Sequence, residues 1–205
     1  MSEYYAALIE FVGAHTAYAY AVIFLLAFSE AIPVIGTFVP GSTLVFAISA
    51  LATNAGADPW GLLIAATTGA IAGDGISFWL GQRFSVEILT WGPIARYPHF
   101  VSQSEKFIAK YGPAAVFLAR FTAVVRAFVP LVAGILQMPP KRFYAANILS
   151  AVIWAPAHVF PGVVLAMAIQ LRGALSDPRM IVIIAVLAIA TIFVFFATRW
   201  WFKAK

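Results

Sequence analysis

Long apolar stretches, broken at places where a membrane helix is not ordinarily broken, dominate the chain. Residues 4 to 28 are apolar and aromatic-rich, with Glu10 and His15 their only ionisable groups, and predict a helix that stops being ordinary at Glu30. The next stretch, AIPVIGTFVPG, places Pro33, Gly36, Pro40 and Gly41 where the hydrophobicity still keeps the chain at membrane depth. Residues 43 to 52 are apolar again and 54 to 59 make a short polar turn, so 30–52 is expected to be a broken, re-entrant segment. Residues 60 to 80 form a cleaner span, because 21 positions at about 1.5 Å each reach about 32 Å. Near its far end, in GDGISFWLGQR, lies Asp74, and Gly69, Gly73 and Gly75 permit close helix packing.

From 83 to 112 the chain is at its most polar, with Arg83, Arg96, Lys106 and Lys110, and its amphipathic piece VSQSEKFIAKY is expected to lie on the membrane surface. Then comes FLARFTAVVRAFVPLVAG, which sets Arg120 and Arg126 inside otherwise greasy sequence. In one continuous helix two charges six residues apart would point roughly 120° from each other, so a single lipid-exposed helix houses both poorly. Pro130 and Gly134 favour a second broken segment, 113–136, whose unwound backbone lines a cavity. A basic turn at 137–142 leads to an apolar run, 143–171, that Pro156 and Pro161 should kink. A polar loop at 172–179 precedes a last span, 180–202.

Composition narrows the class. With 63% hydrophobic and 10% charged residues among 205, and a mean hydropathy of +0.94, the chain is far more apolar than soluble domains. One membrane domain of several spans fills the length. The net charge of +5 sits at the ends of apolar runs, which suits loops beside anionic lipid and argues against nucleic acid as a partner. Zero cysteines exclude disulfides and thiolate metal sites, and His15, His99 and His158 lack paired metal-ligand spacing, so neither metal nor cofactor is called for. The start MSEYYAALIEF has no basic n-region and does not suggest a cleaved signal peptide.

Basic residues place 83–112, 137–142 and the C-terminus on the cytoplasmic side of the cell membrane. Glu30 precedes Phe38-Val39-Pro40 by the spacing with which Arg120 precedes Phe128-Val129-Pro130, and each copy is followed by a span and then Gly81 or Gly162. The fold expected is therefore an all-α polytopic membrane protein. It is built as an inverted repeat of 1–82 and 113–171, with two opposed re-entrant segments whose tips meet near the midplane. About three to four transmembrane helices complete it.

Intramembrane charges are costly without a role, so Glu30, Arg120 and Arg126 are candidate transport residues. They could pair with Asp74 as a structural quartet, two against two, or leave donors for a phosphate, which guanidinium recognises bidentately. Asp74 suits an ion pair or helix packing better than direct transport; Lys141 and Arg142 suit topology. An intramembrane hydrolase would use Ser77 with His158, but Gly-x-Ser recurs by chance. A non-transporting scaffold for the envelope is the other alternative.

The ordered set Glu30 with Pro40-Gly41, Gly73-Asp74 with Phe78, Gly81 and Arg83, then Phe117, Arg120-Phe121, Arg126, Pro130, Ala133-Gly134 and Asn147 resembles the DedA family, the bacterial branch of the VTT-domain (SNARE-associated Golgi protein) superfamily. The likeness covers roughly residues 20 to 170. It implies a multi-pass cytoplasmic-membrane protein with two opposed re-entrant helices. Relatives are implicated in moving lipids, among them the polyprenyl phosphate carrier undecaprenyl phosphate and phospholipids. They depend on acidic residues in the first re-entrant region and two arginines in the second, positions matched by Glu30, Arg120 and Arg126. Ser42 stands where many relatives carry a second acidic residue, so coupling to protons rests on Glu30 alone. Ala123-Val124 occupy a place where proline is common.

Overall fold

The computed structural model describes residues 16–38, 40–122 and 125–170, and over these the chain is helical with no strand. The first limb, α1 (Thr16–Glu30), ends at Glu30, and Pro33 and Val34 (φ 69°) turn the chain through the one-turn helix α2 (Ile35–Phe38). Helix α3 (Gly41–Asn54) then starts after Pro40. The two limbs form an antiparallel hairpin: the end of α1 meets the start of α3 through Glu30 and Ser42, while Tyr20 in α1 accepts from the Asp58 amide beyond the far end of α3.

Asp58 then caps α4 (Pro59–Phe84), accepting from the Gly61 amide at 2.8 Å, with Pro59 at the first helical position. This helix of 26 residues is about 39 Å long. It ends at Ser85, whose φ of 44° reverses the chain into a 3₁₀ helix, Ser85–Thr90, and the short α5 (Gly92–Ala95). Next comes α6 (Pro98–Tyr111), whose apolar side, Val101, Phe107 and Ile108, is buried in the same core as Val116 and Val132 while Glu105, Lys106 and Lys110 are exposed. The amphipathic face expected on the membrane surface is thus spent on the protein's own core. Helix α7 (Ala114–Ala119) stops immediately before Arg120, turns follow, and α8 (Val129–Ile135) carries Pro130 in its first turn.

The longest element, α9 (Pro140–Gln170), passes without interruption through Pro156 and Pro161. It runs antiparallel to α4: Phe143 stacks on Phe78 at 3.9 Å near one end, Asn147 reaches the Ile71 carbonyl, and Phe160 meets Trp60 at the other. These two helices are long and apolar enough to cross a membrane. The broken halves pack on them crosswise. Gly81 of α4 lies so close to α8 that a Cβ there would sit 2.1 Å from the Leu131 carbonyl oxygen, and one on Gly162 of α9 would sit 2.4 Å from that of Phe46 in α3.

Apolar side chains cover the outside of the molecule, among them Leu25, Ile64, Trp79, Leu149 and Val152, while Glu30, Asp74, Arg120 and Asn147 are buried. That inversion is what hydrocarbon surroundings select. The expected 180–202 span, Glu10, His15, Val39 of the repeated tripeptide and Ala123-Val124 lie outside the described residues.

Candidate functional site

The two breaks bring their charges together between α4 and α9. Glu30 is the last residue of α1 and Arg120 follows the last residue of α7, so each charge sits where an incoming helix stops. Ten residues on in each case a proline stands at a helix start: Pro40, past the one-turn α2, immediately precedes α3, and Pro130 lies in the first turn of α8. Glu30 and Arg120 do not pair with each other.

Arg120 is 5% exposed and reaches both long helices. Its Nη2 donates to Asp74 Oδ2 on α4 and to Asn147 Oδ1 on α9 at 2.6 Å, and its Nε donates to Ser150 Oγ at 2.8 Å. The acceptors are themselves fixed, since Asn147 Nδ2 donates to the Ile71 carbonyl and Ser150 donates to the Asn147 carbonyl. Asp74, next to Gly73 and facing the α9 polar side chains, is therefore an ion-pair residue. A carboxylate and a guanidinium buried together remain tolerable because their hydrogen bonds are largely satisfied.

Arg126 is held differently. From Nη1 it donates to Glu30 Oε1 at 2.5 Å and, at 3.4 Å, to Ser42 Oγ, and its guanidinium lies 5.5 Å from the centroid of the Trp154 ring. Ser42 donates to the same Glu30 oxygen at 2.7 Å. The other oxygen, Oε2, is buried and has no hydrogen-bond partner among the described residues. Trp154, fully buried, stacks on His158, whose Nδ1 is 2.8 Å from the Trp154 carbonyl oxygen.

The candidate residues thus divide. Glu30, Ser42 and Arg126 form one hydrogen-bonded group and Asp74, Arg120 and Asn147 another; Pro40 and Gly41 stand at the start of α3 beside the first, Pro33 lies in the turn after α1, Pro130 lies in α8, and Gly134 lies at the contact of α8 with α4. Arg83 stands apart, lining a surface cleft with Phe84, Ser85 and Glu87. Ser77 donates to the Ala31 carbonyl and His158 engages Trp154, so the two do not form a hydrogen-bonded dyad. Ser150 and Trp154 do not stand out in the sequence. With Asn147 and His158 they recur at spacings of three, four and four along α9, one face of a helix, and that periodicity is the signal that could have found them.

Comparison with known proteins adds a family context. Residues 39–164 match the model of the VTT domain. The chain is 28% identical over 172 residues to the inner membrane protein YabI of Escherichia coli K12, a match covering 84% of this chain and 68% of that protein. It is 30% identical over 159 residues to Protein DedA of the same organism, covering 76% and 72% respectively. An uncharacterized membrane protein of Buchnera aphidicola is 26% identical over 164 residues, covering 80% of this chain and 64% of that one. No solved structure matches the chain significantly.

Proposed function

The chain belongs to the DedA branch of the VTT-domain family of membrane proteins, and from that premise we propose that it moves a phosphate-bearing lipid, undecaprenyl phosphate or a phospholipid, across the cytoplasmic membrane. The observation that carries this reading is the meeting of two broken segments at a buried pair of ion pairs, Glu30 with Arg126 and Asp74 with Arg120. Charges at that depth need partners at rest, and a guanidinium that can exchange a carboxylate for a phosphate gives a headgroup a foothold midway while its tail stays in lipid. In this reading the two halves, 1–82 and 113–171, are inverted copies whose broken segments enter from opposite faces, and the crosswise packing of α8 on α4 and α3 on α9 supports that arrangement. Arg126 binds the phosphate, and Arg120, clamped between α4 and α9, holds the two long helices in register. Glu30 is the group through which protons would couple to transport.

Reconstitution into vesicles tests the proposal. Arg126→Ala should reduce movement of polyprenyl phosphate or phospholipid at least tenfold while the protein remains folded. Normal transport by a folded Arg126→Ala protein would sink the idea. Transport indifferent to both Glu30→Gln and an imposed pH gradient would remove the protons and leave the lipid.

A further inference from the structure

Past its basic first turn, α9 carries no Asp, Glu, Lys or Arg as far as Gln170, and one histidine. That residue, His158, is half-buried; its ring stacks on the Trp154 indole with centroids 4.6 Å apart, and its Nδ1 lies 2.8 Å from the Trp154 carbonyl oxygen. A carbonyl can only accept, so Nδ1 carries the hydrogen. Nε2 is left with a lone pair and no hydrogen-bond partner among the described residues. It can therefore take a proton without any hydrogen bond of the protein being broken. The same indole serves a second group. The Arg126 guanidinium lies 5.5 Å from its centroid, and of the guanidinium nitrogens only Nη1 has hydrogen-bond partners among the described residues, Glu30 Oε1 and Ser42 Oγ. The buried ring thus does much of the work of holding Arg126 in place. The charges that His158 feels are those of Glu30 and Arg126. Helices α3 and α7, which pack on α9, carry no charged residue, and α4 carries none between Asp58 and Asp74. Asp74 and Arg120 are engaged farther back on α9, beside Asn147 and Ser150.

We propose that His158 is a proton-operated positioning residue for Arg126: while Nε2 is bare the guanidinium stays on Trp154 and Glu30, and a proton on Nε2 dislodges it. Glu30 and Arg126 compensate each other, so a neutral imidazole leaves their balance untouched. A proton gives the three groups one net positive charge, in surroundings where an uncompensated charge is costly. The imidazolium then competes with the guanidinium twice, for the face of one ring and for one carboxylate, whose Oε2 is buried without a hydrogen-bond partner among the described residues. Arg126 is the group that yields, because it stands in the turns between α7 and α8 whereas His158 is fixed within a helix of 31 residues. Imidazole is also the side chain whose charge ordinarily changes between pH 5 and 8. The inference rests on the lipid-phosphate reading above only for what a released Arg126 does, which is to take a phosphate.

Two measurements test it, one of them without transport. In the purified protein in detergent, the His158 ring resonance, assigned by its loss in His158→Gln, should titrate between about pH 5 and 8. Coupling is reciprocal, so Arg126→Gln should move the midpoint to higher pH. Glu30→Gln should move it to lower pH and serves if the first variant fails to fold. A resonance that does not titrate in that range, or a midpoint that the folded variant leaves in place, overturns the proposal. In vesicles, lipid movement by the wild type should rise several-fold from about pH 8 to about pH 6, while His158→Gln should keep the slower rate at both. An unresponsive wild type, or an equal response in His158→Gln, overturns the switch and leaves the lipid-phosphate reading standing. A wild type that moves no lipid at either pH sinks that reading instead, and the titration then decides the coupling of His158 to Arg126.

Discussion

At Arg120 the guanidinium is held by acceptors on two helices, and at Arg126 by one carboxylate oxygen, one hydroxyl and the face of a ring. The difference decides what each substitution does. Arg120→Ala leaves Asp74 as an uncompensated buried charge and should destabilise the protein by about 3–5 kcal/mol. Asp74→Asn combined with Arg120→Gln should recover most of that loss, because neither remaining group is charged. Thermal unfolding in detergent, run as a double-mutant cycle, measures both, and additive losses would reject the pairing. The four charges were legible in the sequence because ionisable groups in so apolar a chain demand explanation. Who pairs with whom was not: equal spacing within the repeat points to Glu30 and Arg120 as counterparts, yet counterparts occupy equivalent places and each is paired by a third residue. Ser150 and Trp154 are inconspicuous in the sequence because single hydroxyls and aromatics are ordinary in membrane helices.

Among the elements, the breaks were legible and the packing was not. Proline cannot donate within a helix, so Pro33, Pro40 and Pro130 mark where helices stop or start, and α3 and α8 begin where those residues place them. The same residue type does not end α9, which runs on through Pro156 and Pro161. Amphipathicity in α6 shows that one face seeks apolar surroundings but not whether lipid or protein supplies them, and here protein does. Crosswise contact rests on glycine. A Cβ on Gly134 would lie 2.2 Å from the Phe78 carbonyl oxygen, mirroring Gly81 against Leu131. Gly81→Ala and Gly134→Ala must therefore push α4 from α8, with an expected loss of about 1–3 kcal/mol. Gly92→Ala, with nothing within 4 Å, should unfold at the wild-type temperature, and equal behaviour of all three variants in a thermal melt would show that the close approach does not matter.

For the whole molecule, what matters is how far each part reaches. Helices α4 and α9, with 26 and 31 residues, exceed the hydrocarbon thickness of about 30 Å. By contrast α3, with 14 residues, extends about 21 Å, and α8, with 7, about 10 Å. Neither can cross unaided, and a bilayer bordering a helix shorter than itself thins to meet the polar end. α8 is enclosed by protein at all but its last residue, so α3, with exposed positions, is the short element that lipid can border, and on the proposed function the barrier to a headgroup beside it is set as much by the membrane's deformation as by any side chain. If the protein moves lipid as proposed, that movement should slow several-fold as the acyl chains of the vesicles are lengthened, even with the protein equally folded. Rates that ignore chain length would mean that the surrounding bilayer is not part of the machine.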